Sequence, residues 1–228
     1  MPSNLLGDVL DRPVLESSNA HIALALVLDV SGSMADEGKI DSLNNAINSL
    51  IEQIKKDDRI KNIVDLAIFV FGDKGRDPVI QGFRAMSECG TVNLSATDGS
   101  TYVAKVLDTA VTRLRERVEL YAQGGGAYKP WIVLVTDGAF HDAAAELNKV
   151  AIRMKQRETE NKLQFFGLGV AGFNRGQLEL LTNDPNHVIE VKAANFTEFL
   201  SWVGRSFATV SGSPINAKVK LEPLQFTV

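Results

Sequence analysis

Residues 22–28 (Ile-Ala-Leu-Ala-Leu-Val-Leu) form an unbroken apolar run that stops at Asp29-Val-Ser-Gly-Ser33. A run that is apolar on both faces and closed by turn residues predicts a buried central strand. Ile40, Leu43, Ile47, Leu50, Ile51 and Ile54 then recur at helical spacing, which predicts a helix with one buried face. Residues 63–71, rich in Val, Ile and Phe, read as a second strand. A turn over residues 72–78 leads to a short strand over 79–83. A connection this tight permits only an antiparallel return, because a parallel crossover needs a dozen or more residues.

Residues 86–101 are polar and lack a period; loops of this length in compact domains are often functional. Val103, Val106, Ala110, Leu114, Val118 and Tyr121 predict a second helix, which Gly124-Gly-Gly126 breaks. Residues 131–135 are a further buried strand ending in Thr136-Asp137-Gly138. A helix through Ala143, Leu147, Val150, Ala151 and Met154, a strand over 163–170, a short helix over 177–181 and a strand over 188–191 follow. Phe196, Phe199, Leu200, Val203 and Phe207 mark a last helix. This alternation predicts an α/β fold: a doubly wound, mostly parallel sheet with one short antiparallel edge strand and helices on both faces. The expected organisation is an N-terminal extension over 1–19, one domain over 20–210 and a tail over 211–228. Ser211-Gly-Ser-Pro214 has linker composition. Val219 and Leu221 alternate with Lys218, Lys220 and Glu222, so the tail reads as an extra edge strand or an arm docked on the body.

Length and charge narrow the function. At about 100–200 residues per domain, 228 residues make one large domain or two small ones. The formal net charge of −4 argues against nucleic acid as partner and against a basic membrane-surface module. One cysteine, Cys89, excludes an internal disulfide framework and a multi-cysteine metal site. Residues 1–16 carry Asp8, Asp11, Arg12 and Pro13 and lack the basic start and apolar centre of a secretory signal. The longest apolar run, 22–28, is far short of the roughly 20 residues of a membrane-spanning helix. A cytoplasmic protein is expected.

In open α/β sheets ligands bind beyond the carboxyl ends of the strands, where strand order reverses. Asp29 and Asp137 both stand at such ends. If their strands are neighbours, the two ends lie roughly 5 Å apart, and two close carboxylates repel unless a proton or a cation lies between them. Ser31 and Ser33 follow Asp29 in the same turn. Two carboxylates and two hydroxyls are hard oxygen donors, which suit Mg²⁺, Mn²⁺ or Ca²⁺ rather than Zn²⁺ or copper.

Asp29-Val-Ser31-Gly-Ser33 after an apolar strand resembles the Asp-x-Ser-x-Ser signature of von Willebrand factor type A domains. Thr101, in Asp98-Gly-Ser-Thr-Tyr, matches the threonine that the pattern places before the second long helix. Asp137, in Val-Thr-Asp-Gly, matches its final aspartate. The resemblance covers about residues 20–210 and departs where Gly99-Ser100 stands in place of a double glycine. It implies a metal-ion-dependent adhesion site. Ser31 and Ser33 would ligate the ion, Thr101 and Asp137 would do so directly or through water, and Asp29 would hold waters and serines from behind. The ion, Mg²⁺ first, with Mn²⁺ and Ca²⁺ as alternatives, would take a Glu or Asp of a protein partner. The leaderless form and the Leu-Asp-x-Ser-Gly-Ser-Met run look most like the bacterial tellurite-resistance (TerY-like) branch. That likeness implies an interaction module in a stress-response complex, alongside a kinase or phosphatase, and no enzyme.

Two rivals share some of these residues. A haloacid-dehalogenase-like phosphotransferase would use Asp29 as nucleophile, but wants a second acid two residues on, where Ser31 stands. Gly167-Leu-Gly-Val-Ala-Gly172 fits a dinucleotide fingerprint in spacing, yet its first glycine falls inside a strand. Cys89 reads as a bystander thiol. Arg113, Arg115 and Arg117 with Glu116 and Glu119 read as a solvated helix face, and Asp142 as favourable to the dipole of the helix after it.

Overall fold

All eight residues of the first strand, β1 (Ile22–Asp29), are buried, as an apolar run without alternation requires. The structure, a computed structural model, describes residues 10–73, 77–215 and 217–224. The start of the N-terminal extension, the middle of the turn after Gly72 and the end of the tail lie outside the described residues. Helix α1 (Lys39–Lys55) follows β1. Then come β2 (Val64–Phe71), β3 (Val79–Ala85), α2 (Ala104–Tyr121) and β4 (Trp131–Thr136). The chain continues through α3 (Ala144–Thr159), β5 (Gln164–Gly169), α4 (Arg175–Glu179), β6 (Val188–Glu190) and α5 (Phe196–Ser211).

The six strands lie in the order β3-β2-β1-β4-β5-β6. All neighbours are parallel except β2 and β3, so the doubly wound sheet with one antiparallel edge strand is observed. Strand order reverses between β1 and β4, and the crevice of such a sheet opens there. Side chains of β1 alternate between two cores because successive strand residues face opposite sides. Leu24, Leu26 and Leu28 join α1 and α5, through Leu43, Ile47, Leu50, Phe199 and Val203. Ala25 and Val27 join α2 and α3, through Leu107, Leu114, Leu147 and Met154. The two helical layers leave no solvated face on the central strands, which explains their unbroken hydrophobicity.

One reading of a helix face is corrected here. Arg115 is exposed, with Glu119 as its neighbour, but Arg117 is buried. Its guanidinium donates to Asp65 Oδ2, and Tyr121 Oη donates to the same oxygen at 2.6 Å. Arg117 Nη1 also donates to the Arg12 carbonyl at 2.6 Å. The N-terminal arm is thereby fixed along β3, where Arg12 N donates to Phe83 O and Phe83 N donates to Asp11 Oδ1. At the other end of the chain, described residues 217–224 form no strand. Leu221 and Leu224 pack against the core, and Trp202 Nε1 donates to the Glu222 carbonyl at 2.9 Å.

Candidate metal centre

Asp29 closes β1 level with Thr136 in β4, since Leu28 is in register with Val135. Asp137 stands one residue further out. Asp29 is fully buried and both of its oxygens are engaged: Oδ1 accepts from Ser31 N at 2.9 Å and Oδ2 from Thr136 Oγ1 at 2.6 Å. Burial pushes its carboxyl above the usual range. The hydrogen bonds from Ser31 and Thr136 work against that rise, and the charge of Asp137 adds to it.

The turn after β1 and the turn after β4 meet through side chains. Ser33 Oγ donates to Asp137 Oδ1 at 2.6 Å, and Ser31 Oγ lies 3.3 Å from Ser33 Oγ. Asp137 and Ser31 are buried whereas Ser33 is exposed, so the oxygen cluster opens to solvent on the Ser33 side. Thr101 arrives from the loop before α2. A Cβ built on Gly138 would lie 3.6 Å from Thr101 Oγ1, which sets that hydroxyl beside the backbone following Asp137. The Thr101 backbone is pinned to His141: its carbonyl accepts from His141 N at 2.9 Å, and its N–H donates to His141 Nδ1 at 3.3 Å.

The supporting loops are packed backbone to backbone. Gly72 has φ +96°, and a Cβ on it would lie 2.5 Å from Ser31 N. A Cβ on Gly99 would fall 1.7 Å from the Gly72 carbonyl. Only glycine permits approaches this close. Thr97 ties the same layers together, its N–H donating to Val30 O and its hydroxyl to Gly72 O. The polar stretch after residue 90 is held to α1 by two asparagines. Asn44 and Asn48 each give and take one backbone hydrogen bond, with Leu94 and Val92 respectively.

The donor set fits a hard divalent cation. Neighbouring oxygens of octahedral Mg²⁺ lie about 3 Å apart, given Mg–O distances near 2.1 Å. The two separations at Ser33 bracket that value. Among the described residues no group of three or more His, Cys, Asp and Glu gathers as a metal site, here or elsewhere; this centre has two carboxylates, and its other oxygens are hydroxyls.

A family model of the von Willebrand factor type A domain matches residues 23–202. The chain belongs to the von Willebrand factor type A domain family. Solved structures share this fold at low identity. One is the pilus adhesin SpaC from Lactobacillus rhamnosus GG, 15% identical over 83% of this chain and 31% of that one, with a TM-score of 0.66. A von Willebrand factor type A protein from Catenulispora acidiphila is 15% identical over 85% and 43%, at 0.56. The domain of the type V pili tip protein Mfa5 from Porphyromonas gingivalis is 10% identical over 83% and 96%, at 0.58. The chain thus spans about a third of the adhesin and under half of the Catenulispora protein. No curated relative matches it in sequence.

Other residues singled out in the sequence take structural places in this type A domain. Asp142 stands just before α3, and its carboxylate also caps α2, accepting from Val103 N and Ala104 N at 2.8 and 3.0 Å. In the glycine motif of β5, a Cβ on Gly169 would strike the Phe173 ring at 2.2 Å. The second glycine of the motif is therefore a packing position for an aromatic ring. Burial pushes the Cys89 thiol up to about 11, so it is unreactive near neutral pH.

Two neighbours of the candidate centre escape the motif. Thr136 is only motif context in the sequence, yet it holds Asp29. Lys39 is the other: Nζ donates to Asp137 Oδ2 at 2.8 Å and to the Ser33 carbonyl at 3.3 Å. Its signal is its position. Lys39 is the first residue of α1, where the helix dipole disfavours a cation.

Among the described residues no helix is long and apolar enough to cross a membrane.

Proposed function

We propose that Asp29, Ser31, Ser33, Thr101 and Asp137 form a metal-ion-dependent adhesion site for one divalent cation, Mg²⁺ by preference and Mn²⁺ or Ca²⁺ otherwise. The observation that carries this reading is the contact between turns 104 residues apart, in which Ser33 Oγ meets Asp137 Oδ1 at 2.6 Å beside Ser31 Oγ. Ser31, Ser33 and Asp137 would contribute oxygens directly. Thr101 would contribute from the facing loop, and Asp29 would orient Ser31 through its N–H. When bound, the ion supplies Lewis-acid attraction for a carboxylate. Ser33 lies on the open side, so a Glu or Asp of a protein partner can reach the centre there.

This makes the protein an interaction module rather than an enzyme. The phosphotransferase alternative lacks support, because a nucleophilic Asp29 would need a free, accessible oxygen and both are occupied in a fully buried side chain. Placement in the bacterial tellurite-resistance branch, in a cytoplasmic stress-response complex with a kinase or phosphatase, is supported by the Leu28-to-Met34 run. The proposed boundaries of the domain are residues 20–210, flanked by arms 1–19 and 211–228.

The test is thermal unfolding with Mg²⁺ or Mn²⁺ against chelator. An ion that binds only the native state raises the melting temperature with its concentration. Wild type should show this rise, and Asp137→Ala and Ser33→Ala should lose it. A melting temperature indifferent to both ions would overturn the reading.

A further inference from the structure

The proposed set of two carboxylates and three hydroxyls leaves out a charge that the fold has buried beside it. Lys39 is 8% exposed and its ammonium touches atoms of two of the ligand residues, Asp137 Oδ2 and the Ser33 carbonyl. We propose that Lys39 is a tethered cation that weakens metal binding at this centre and strengthens the loaded centre's hold on a partner's carboxylate. The inference rests on the metal reading above.

The geometry divides the Asp137 carboxylate. Oδ2 faces Lys39 and Oδ1 faces the serine hydroxyls, so the lysine need not leave for an ion to take Oδ1. The chain is bent to achieve this. Glu37 and Gly38 have φ +54° and +66°, two successive left-handed residues that turn Lys39 back toward Ser33. A lysine heading a helix meets the positive end of the dipole, and that placement is stabilising only if its ammonium finds an anion. Asp137 is that anion.

Charge then decides the chemistry. Asp29 and Asp137 contribute −2 and a divalent ion +2, which alone would leave a neutral centre. Lys39 raises the loaded centre to +1, and an incoming carboxylate brings it back to zero. A divalent ion and an ammonium about 5 Å apart repel enough, even at the dielectric of water, to cost on the order of tenfold in affinity. The same ammonium favours an arriving carboxylate by about fourfold on the same arithmetic. Removing the charge should therefore move the two affinities in opposite directions, which a purely structural lysine would not do.

The experiment measures Mn²⁺ affinity of the full chain by calorimetry for wild type, Lys39→Met and Lys39→Arg. Acetate is then titrated into the Mn²⁺-loaded proteins, with loss of metal-bound water read by proton relaxation. Lys39→Met should bind Mn²⁺ about tenfold tighter and acetate about fourfold weaker. Lys39→Arg, which keeps the charge, should stay within about twofold of wild type in both. Should Lys39→Met fail to fold, Lys39→Gln keeps a donor for Asp137 without the charge and carries the same expected signs. Mn²⁺ affinity unchanged or weaker in the uncharged variant, with wild type binding normally, overturns the tethered-cation role and leaves the metal reading standing. Acetate affinity unchanged overturns its second half. Mn²⁺ bound by the uncharged variant and not by wild type keeps the role of Lys39 and overturns the metal reading of the native chain. No binding by either overturns both.

Discussion

Thr136 Oγ1 donates to Asp29 Oδ2 at 2.6 Å between adjacent strands, and both residues are fully buried. The hydroxyl fills that oxygen, and the other oxygen accepts from the Ser31 N–H. Thr136→Val keeps the shape and removes the donor, leaving a buried carboxylate oxygen unpaired. Such losses cost about 1–3 kcal/mol. Chemical denaturation should show that loss, and Mn²⁺ affinity should fall with it because Asp29 no longer holds Ser31 in one place. Thr136→Ser retains the donor and should recover most of both.

Arg117 and Asp65 make a different prediction at the far end of the sheet. Both are buried, and Tyr121 donates to the same Asp65 oxygen. Breaking a buried pair on one side leaves an uncompensated charge and costs about 3–5 kcal/mol. Arg117→Met should lower stability by that order, while the double variant Arg117→Met with Asp65→Leu should be milder than the single. A double-mutant cycle of denaturation midpoints checks this; additivity would show that the pair is not coupled.

The difference between what could be read and what could not follows from how far apart partners lie in the chain. The β1 run and the spacing of Leu43, Ile47, Leu50 and Ile54 report local burial, so strand and helix order are legible. Asp29 and Asp137 are legible because strand ends in α/β sheets are where ligands gather. Arg117 is not, because its neighbours Arg115, Glu116 and Glu119 suggest a solvated face and its partner Asp65 stands 52 residues away. The better signal is Asp65 itself, an acid inside an otherwise apolar strand that needs a cation brought to it. Lys39 hides likewise, 98 residues from Asp137. Asn44 and Asn48 look like ordinary polar positions on a helix, and only the fold reveals the loop they hold.

Cys89 gives a pH prediction. Burial is the main cause of its rise to about 11 from an ordinary value of 9.0. A thiol whose folded pKa is raised binds more protons in the native state than in the unfolded one between those values. Stability is therefore unaffected below about pH 9 and falls as pH rises from there to about 11, by about 2–3 kcal/mol for this group. Cys89→Ala should remove that part of the slope. Denaturation midpoints of the two proteins at pH 8 and pH 10.5 give the comparison, and parallel decline would refute it. At pH 8 the native thiol should also resist a disulfide reagent that modifies it at once in denaturant.

The loop held by Asn44 links stability to the candidate centre. The Asn44 amide donates to Leu94 O and accepts from Leu94 N, both at 2.8 Å. It imitates the backbone edge of a strand, and the loop runs on from there through Thr97 to Thr101. Asn44→Ala leaves the Leu94 N–H and C=O unpaired where water enters poorly, at a cost of about 1–3 kcal/mol. The global loss is the lesser part of the effect. Hydrogen exchange at the Leu94 amide should accelerate far more than at β1, because the loop opens without the sheet. If Thr101 contributes to the metal, each opening removes one oxygen, so Mn²⁺ should bind more weakly to Asn44→Ala than its residual stability alone would predict. Asn44→Asp keeps the acceptor for Leu94 N but loses the donor to Leu94 O, and should fall between wild type and alanine in exchange rate. Equal exchange at Leu94 in all three proteins would show that packing, not the asparagine, holds this loop.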